Sequence, residues 1–137
     1  MTTQPEWLFA FSSMHAKLFK QIDRELSVHG ITFSEFYILH RLRSAPGRAM
    51  RRIDLAENVG MSASGITRAL NPMEKLGLVQ KEKNPRDARV SLVKLSDTGL
   101  QYCDDAAATV QASLSGLLSP LEDADIDAFM TMAEKIK

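Results

Sequence analysis

Residues 60–95 read GMSASGITRALNPMEKLGLVQKEKNPRDARVSLVKL, and this stretch decides the fold. Ser62 offers the hydroxyl of a helix N-cap. Behind it Ile66, Leu70, Met73 and Leu76 recur at helical spacing, and Gly77 supplies the C-terminal stop. On the opposite face Ser64, Thr67, Arg68 and Asn71 stand at i, i+3, i+4 and i+7. Small hydroxyls let a helix approach a major groove closely, and Arg and Asn can make bidentate contacts to guanine and adenine edges. Pro72 removes the amide that would bond to the Arg68 carbonyl and predicts a bend, and Gly65 weakens the same helix. Leu78–Lys83 alternates loosely, Asn84-Pro85-Arg86-Asp87-Ala88 reads as a turn, and Val90–Leu95 is rich in β-formers. Together these predict a two-stranded hairpin. Arg86, Asp87 and Arg89 surround its tip, with Lys81, Lys83 and Lys94 on its strands. A basic ribbon tip can place a guanidinium in a narrow minor groove, and Asp87 can orient one arginine through an ion pair.

Working outward, Arg51 to Val59 predicts a short helix burying Ile53, Leu55, Ala56 and Val59, stopped at Gly60. The pair of short helices joined at Gly60-Met61-Ser62, followed by the basic hairpin, has the order of a winged helix-turn-helix. Upstream, Thr32-Phe33-Ser34-Glu35 is a capping box opening a helix through Phe36, Leu39 and Leu42, which stops before Ala45-Pro46-Gly47. Before that, Trp7, Phe11, Met14, Leu18 and Ile22 mark one face of a long helix from Pro5 to about Val28, ended at His29-Gly30. Downstream, Ser96 can cap a fifth helix whose Leu100, Cys103, Ala107, Val110, Leu114 and Leu117 form a heptad seam. After Pro120 a sixth helix carries Leu121, Ile126, Phe129, Met130 and Ala133. The expected fold is mainly α with a small β-hairpin: a winged helix-turn-helix flanked by N- and C-terminal helices, forming one compact unit.

The formal net charge of zero hides a strong polarity. Residues 1–30 are balanced, residues 31–95 carry a net +6, and residues 96–137 carry −6. The basic middle can attract phosphates, and the acidic end is expected to face elsewhere. With 137 residues, 45% of them hydrophobic and 25% charged, the chain has the composition of one ordinary globular domain. No apolar run approaches a membrane span, and the N-terminus lacks the basic and apolar regions of a secretory signal, so a cytoplasmic protein without a membrane partner is expected. A single cysteine excludes an internal disulfide framework or a zinc site built on several thiolates.

At residues 87–99 the sequence DARVSLVKLSDTG resembles the wing of the MarR (multiple antibiotic resistance regulator) family of bacterial transcription factors: D-x-R, five residues, then L-[ST]-x-x-G. Thr67-Arg68 and Met73-Glu74-Lys75-Leu76-Gly77-Leu78-Val79 are similar to that family's recognition helix and approach to the wing, and Leu55-Ala56 to the helix before it. The resemblance implies an obligate homodimer whose first, fifth and sixth helices interleave. It assigns residues 1–30 and 96–137 to dimerisation and 31–95 to DNA binding. Two winged lobes would then hold a pseudo-palindromic operator on double-stranded DNA, with repression as the expected outcome. The candidate DNA contacts are Ser62, Ser64, Thr67, Arg68 and Asn71 on the helix, and Arg86, Asp87 and Arg89 on the wing.

Regulators of this family often bind effectors between the dimerisation and DNA-binding lobes. Here that crevice would draw on Trp7, Phe11, Met14, His15, Phe36 and His40, and would suit a small aromatic or phenolic molecule. The same aromatic stripe also reads as core packing. No cofactor or metal is expected: His15, His29 and His40 lack zinc-site spacing, and the fifth helix, where zinc-sensing relatives carry histidines, has none. Cys103 lies in the helical seam, unlike the first-helix cysteine of peroxide-sensing relatives, and reads as a small buried hydrophobe. An enzyme is disfavoured because there is no phosphate-binding glycine loop, H-E-x-x-H or G-x-S-x-G. The competing class is a winged helix that binds proteins rather than DNA, which would not require an arginine-tipped wing beside a polar helix face.

Overall fold

The computed structural model describes residues 1–137. Helix α1 (Gln4–Leu26) begins at a capping box between Thr3 and Glu6 and runs into a single 3-10 turn closed by Gly30 at φ +73°. Helix α2 (Phe33–Ser44) begins at the expected box: the Glu35 amide donates to Thr32 Oγ1 at 3.2 Å, and the Thr32 amide to Glu35 Oε1 at 2.9 Å. Asp23 adds a tie from α1, its carboxylate accepting from the Phe33 amide at 2.7 Å. A further tie runs from the end of α1 to the far side of the chain, where His29 Nε2 lies 2.6 Å from Thr109 Oγ1.

Strand β1 (Ala49–Arg51), helix α3 (Arg52–Val59), helix α4 (Ala63–Lys75), β2 (Val79–Asn84) and β3 (Asp87–Leu95) complete the central unit. The sheet has three antiparallel strands in the order β1-β3-β2 rather than the two of a bare hairpin. Ala49 pairs with Lys94 and Arg51 with Leu92. Three residues are too few to carry an alternating pattern, so β1 exists because β3 offers it an edge. Helix α4 continues through Pro72, where a bend was expected. Pro72 is exposed, on the side away from the core, where the helix lacks one amide donor.

Helix α5 (Asp97–Leu117) and helix α6 (Asp123–Ile136) close the chain. One core unites α1 to α5 and the sheet, without α6. Ile22 and Leu26 of α1, Ile38, Leu39 and Leu42 of α2, Leu55 of α3, Ile66, Leu70 and Met73 of α4, Val93 of β3 and Cys103 and Ala106 of α5 are all buried together. Fully burying each of the larger aliphatic side chains contributes about 1.5–3 kcal/mol, which fixes α4 and the hairpin on a rigid base.

The heptad seam of α5 packs within its own chain, and only Ala107 departs from it. Cys103, Ala106 and Ser113 are buried and Val110, Leu114 and Leu117 lie partly buried against the core of the same chain, while Ala107 is exposed. This face of α5 therefore packs intramolecularly, on α1 and α2. The apolar surface left uncovered lies instead on the N-terminal half of α1, at Trp7, Leu8, Phe9, Phe11 and Met14, and on α6, at Ile126, Phe129, Met130, Met132 and Ile136. Helix α6 has no buried residue at all. No helix is long and apolar enough to cross a membrane.

Candidate nucleic-acid interface

Helix α4 buries Ile66, Leu70 and Met73 and presents Ser64, Arg68 and Asn71 to solvent, with Thr67 half-buried beside them. Ser62 caps the helix, its hydroxyl accepting from the Gly65 amide at 3.0 Å and lying 3.3 Å from Ser64 Oγ. Thr67 is occupied on both sides. Its hydroxyl donates to the Ala63 carbonyl and accepts from Arg52 Nη1, each at 3.1 Å. Asn71 Oδ1 lies 3.5 Å from Lys81 Nζ, and the same ammonium pairs with Glu74 at 3.2 Å. Arg68 is exposed and pairs with no other side chain. Of the four polar residues on this face, Arg68 therefore keeps its full set of donors free for a ligand.

Lys81 sits on β2, so its contacts with Asn71 and Glu74 tie the wing to α4. At the wing tip, Asn84 accepts from the Arg86 amide at 2.9 Å, an Asx turn that shapes the two-residue connection. Asp87 accepts from the Arg89 backbone amide at 3.0 Å and from its guanidinium at 3.2 and 3.4 Å. The Arg89 guanidinium, and then its backbone amide, hold the Asp87 carboxyl below the usual carboxylate range. The Arg89 side chain remains 91% exposed. The pair orients this arginine without burying it.

The side chains proposed for an effector crevice do not converge on one cavity. Trp7, Phe11 and Met14 line a recess of about 190 Å³ with Ala10 and with Phe129 and Met132 of α6. His15 and Phe36 belong instead to an aromatic ladder. It climbs α1 from Trp7 through Phe11 and His15 to Phe19 and crosses to Phe33 of α2 at 4.6 Å between centroids, and Phe36 stands 6.4 Å beyond. Phe36 is a core residue, and His40, the last rung at 6.1 Å, faces solvent. Cys103 is buried, and desolvation together with the nearby Asp104 carboxylate raises its thiol pKa. The thiolate needed for redox chemistry is thereby disfavoured.

Two residues that no spacing rule singled out stand beside the wing. Arg51 makes a bidentate ion pair with Asp54 at 2.9 and 3.2 Å, and Arg52 reaches across to Thr67 of α4. Their only signal in the sequence is an Arg-Arg pair at the start of α3.

Residues 29–90 match the sequence profile of the MarR family. An uncharacterized HTH-type transcriptional regulator, YdgJ of Bacillus subtilis (strain 168), is 27% identical over 115 residues, covering 77% of this chain and 69% of that protein. Among solved structures, AbsC, a MarR family transcriptional regulator from Streptomyces coelicolor, superposes with a TM-score of 0.89 at 24% identity, covering 99% of this chain and 94% of the other. Sco3205, from the same organism and solved in complex with DNA, gives 0.87 at 22% identity over 99% and 87% of the two chains.

Proposed function

We propose that the chain, whose residues 29–90 match the MarR family profile, is a transcriptional repressor of that family that grips a pseudo-palindromic operator as a homodimer. The observation that carries this reading is the continuity of the basic surface. Arg52 at the start of α3 is tied to α4 through Thr67 and Lys81 on β2 through Asn71 and Glu74, so both flank the free Arg68, while Asp87 holds Arg89 on β3. In this reading α4 enters the major groove and Arg68 reads a base there, while Arg86 and Arg89 enter the flanking minor groove. Ser64 and Asn71 contact the groove from either end of the helix face, and Ser62 acts through the cap. Asp87 orients Arg89.

The second protomer enters the proposal through the uncovered apolar faces of α1 and α6, too extensive a surface for a stable monomer. An aromatic effector would need that second protomer as well. The recess at Trp7 is small beside the roughly 300–1,000 Å³ usual for ligand pockets, and His15, Phe36 and His40 do not line it. Repression itself would follow from occupying the operator.

The test is selection of bound duplexes from a randomised DNA pool. A two-fold symmetric sequence with half-site centres about one helical turn, or 10–10.5 base pairs, apart is the expected outcome. Recovery of no enriched sequence would favour the protein-binding winged helix.

A further inference from the structure

Between the start of α3 and the wing lies an open cleft of about 240 Å³ lined by Arg51, Arg52, Ile53, Arg89, Val90 and Ser91. Three arginines from two separate stretches of chain line it, together with one serine. We propose that this cleft is a clamp for a single backbone phosphate of duplex DNA, on the strand that separates the groove occupied by α4 from the groove occupied by the wing. The proposal rests on the DNA-binding reading above and adds Arg51 and Arg52 to it.

The first argument is chemical. The carboxylates that pair with these arginines, Asp54 and Asp87, do not line the cleft. Each pair uses two of the five N–H donors of its guanidinium, leaving the others free for a second acceptor. Held planar forks lose less freedom on meeting a phosphate than loose side chains would. Arg52 is anchored differently, by one bond to Thr67, and it too keeps most of its donors. Charge-assisted bonds of this kind to phosphate oxygens are among the stronger polar contacts.

The second argument is geometric. In a B-form duplex the major groove, about 12 Å wide, and the adjacent minor groove, about 6 Å wide, are divided by one sugar-phosphate strand. A protein with a helix in the first and a hairpin tip in the second must straddle that strand. The cleft lies at the required place, because Arg52 touches α4 through Thr67 while Arg89 belongs to the wing. It is also where the short β1 ends at Arg51 and β3 runs on towards the tip paired with β2 alone, its other edge uncovered. The strand that β1 does not cover leaves the floor of the cleft open.

Two measurements test the clamp, both on a duplex selected by the wild-type protein. The slope of log K against log salt should be shallower by about 1.8 in Arg51→Gln/Arg52→Gln, one phosphate lost at each half-site at about 0.9 per phosphate. Its selected core sequence should be unchanged, because a phosphate carries no base identity. Arg52→Lys, in the otherwise wild-type chain, should keep the wild-type slope. In a scan of single neutral methylphosphonate linkages, one linkage per half-site, flanking the core read by α4, should weaken the wild-type protein and be silent in the double variant. An unchanged slope in the double variant, a methylphosphonate penalty that persists there, or an Arg52→Lys slope as shallow as that of the double variant overturns the clamp while leaving DNA binding intact. If the wild-type protein selects no duplex, the clamp falls together with the DNA reading.

Discussion

Arg68 stands alone among Ser64, Thr67, Arg68 and Asn71 in having nothing else to hold, and this sets the expected hierarchy of substitutions. Arg68→Ala should relax preference at one base pair in each half-site, costing about 1–3 kcal/mol in discrimination. Thr67→Val keeps the shape and loses a hydroxyl that already serves Ala63 and Arg52. It should leave the selected sequence unaltered. Repeating the duplex selection with both variants checks the ranking, and a rewritten core with Thr67→Val would reverse it. The helical spacing of Ser64, Thr67, Arg68 and Asn71 was enough to place them on one face. It could not say which hydroxyls and amides were already engaged, because Arg52 and Lys81 arrive from 15 and 10 residues away in sequence. The cysteine was more legible, since a small apolar residue within a helical seam is buried whatever its partners, and burial is what raises its pKa.

Elements join at Ser96 and Gly99, and the reason for the L-[ST]-x-x-G pattern becomes physical there. The Ser96 hydroxyl accepts from the Gly99 amide at 2.9 Å and donates to the Gly77 carbonyl at 2.5 Å, with that of Leu78 at 3.0 Å. It thus caps α5 and ties it to the segment leaving α4. A Cβ on Gly99 would collide with the Leu78 carbonyl oxygen and stand 2.7 Å from Leu95 Cδ1. Gly99→Ala should therefore destabilise the fold by about 1–3 kcal/mol, and Ser96→Ala by about 0.5–2 kcal/mol, as read from urea unfolding midpoints. A Gly99→Ala midpoint equal to wild type would contradict the close approach. The wing answers to pH through Asp87. Its carboxyl is held low by Arg89, so the pair orders the tip at and above the ordinary carboxylate range and is lost only as pH falls through the depressed value. A carboxyl NMR titration should place the Asp87 inflection below that of a free aspartate, and Arg89→Gln should bring it back up. At this scale the periodic helices and the hairpin were readable from spacing and turn chemistry. Strand β1 was not, because three residues paired only through β3 carry no local signal.

Over the whole molecule the two kinds of surface separate: basic where α4 and the wing lie, apolar and acidic at α6. The sequence points to an apolar α1 and to a heptad seam on α5, but a heptad pattern does not say whether the facing helix belongs to the same chain. In the fold the α5 seam is covered by α1 and α2, and the unpartnered stripe is Ile126, Phe129 and Met130 on α6 together with Trp7 and Phe11 on α1. This distinction gives opposite outcomes for two charge substitutions. Leu114→Asp places a carboxylate against the chain's own core, where an unpaired charge is strongly unfavourable. It should lower the thermal midpoint and the helical circular dichroism. Phe129, 42% exposed in the single chain, should behave otherwise. Phe129→Asp is expected to keep the helical signal while sedimentation at micromolar concentration shifts from two chains to one. Affinity for a two-half-site duplex should then fall towards that for a single half-site, because the second lobe no longer arrives with the first. A Phe129→Asp protein that still sediments as a dimer would remove α6 from the interface and leave its apolar stripe without the partner proposed for it.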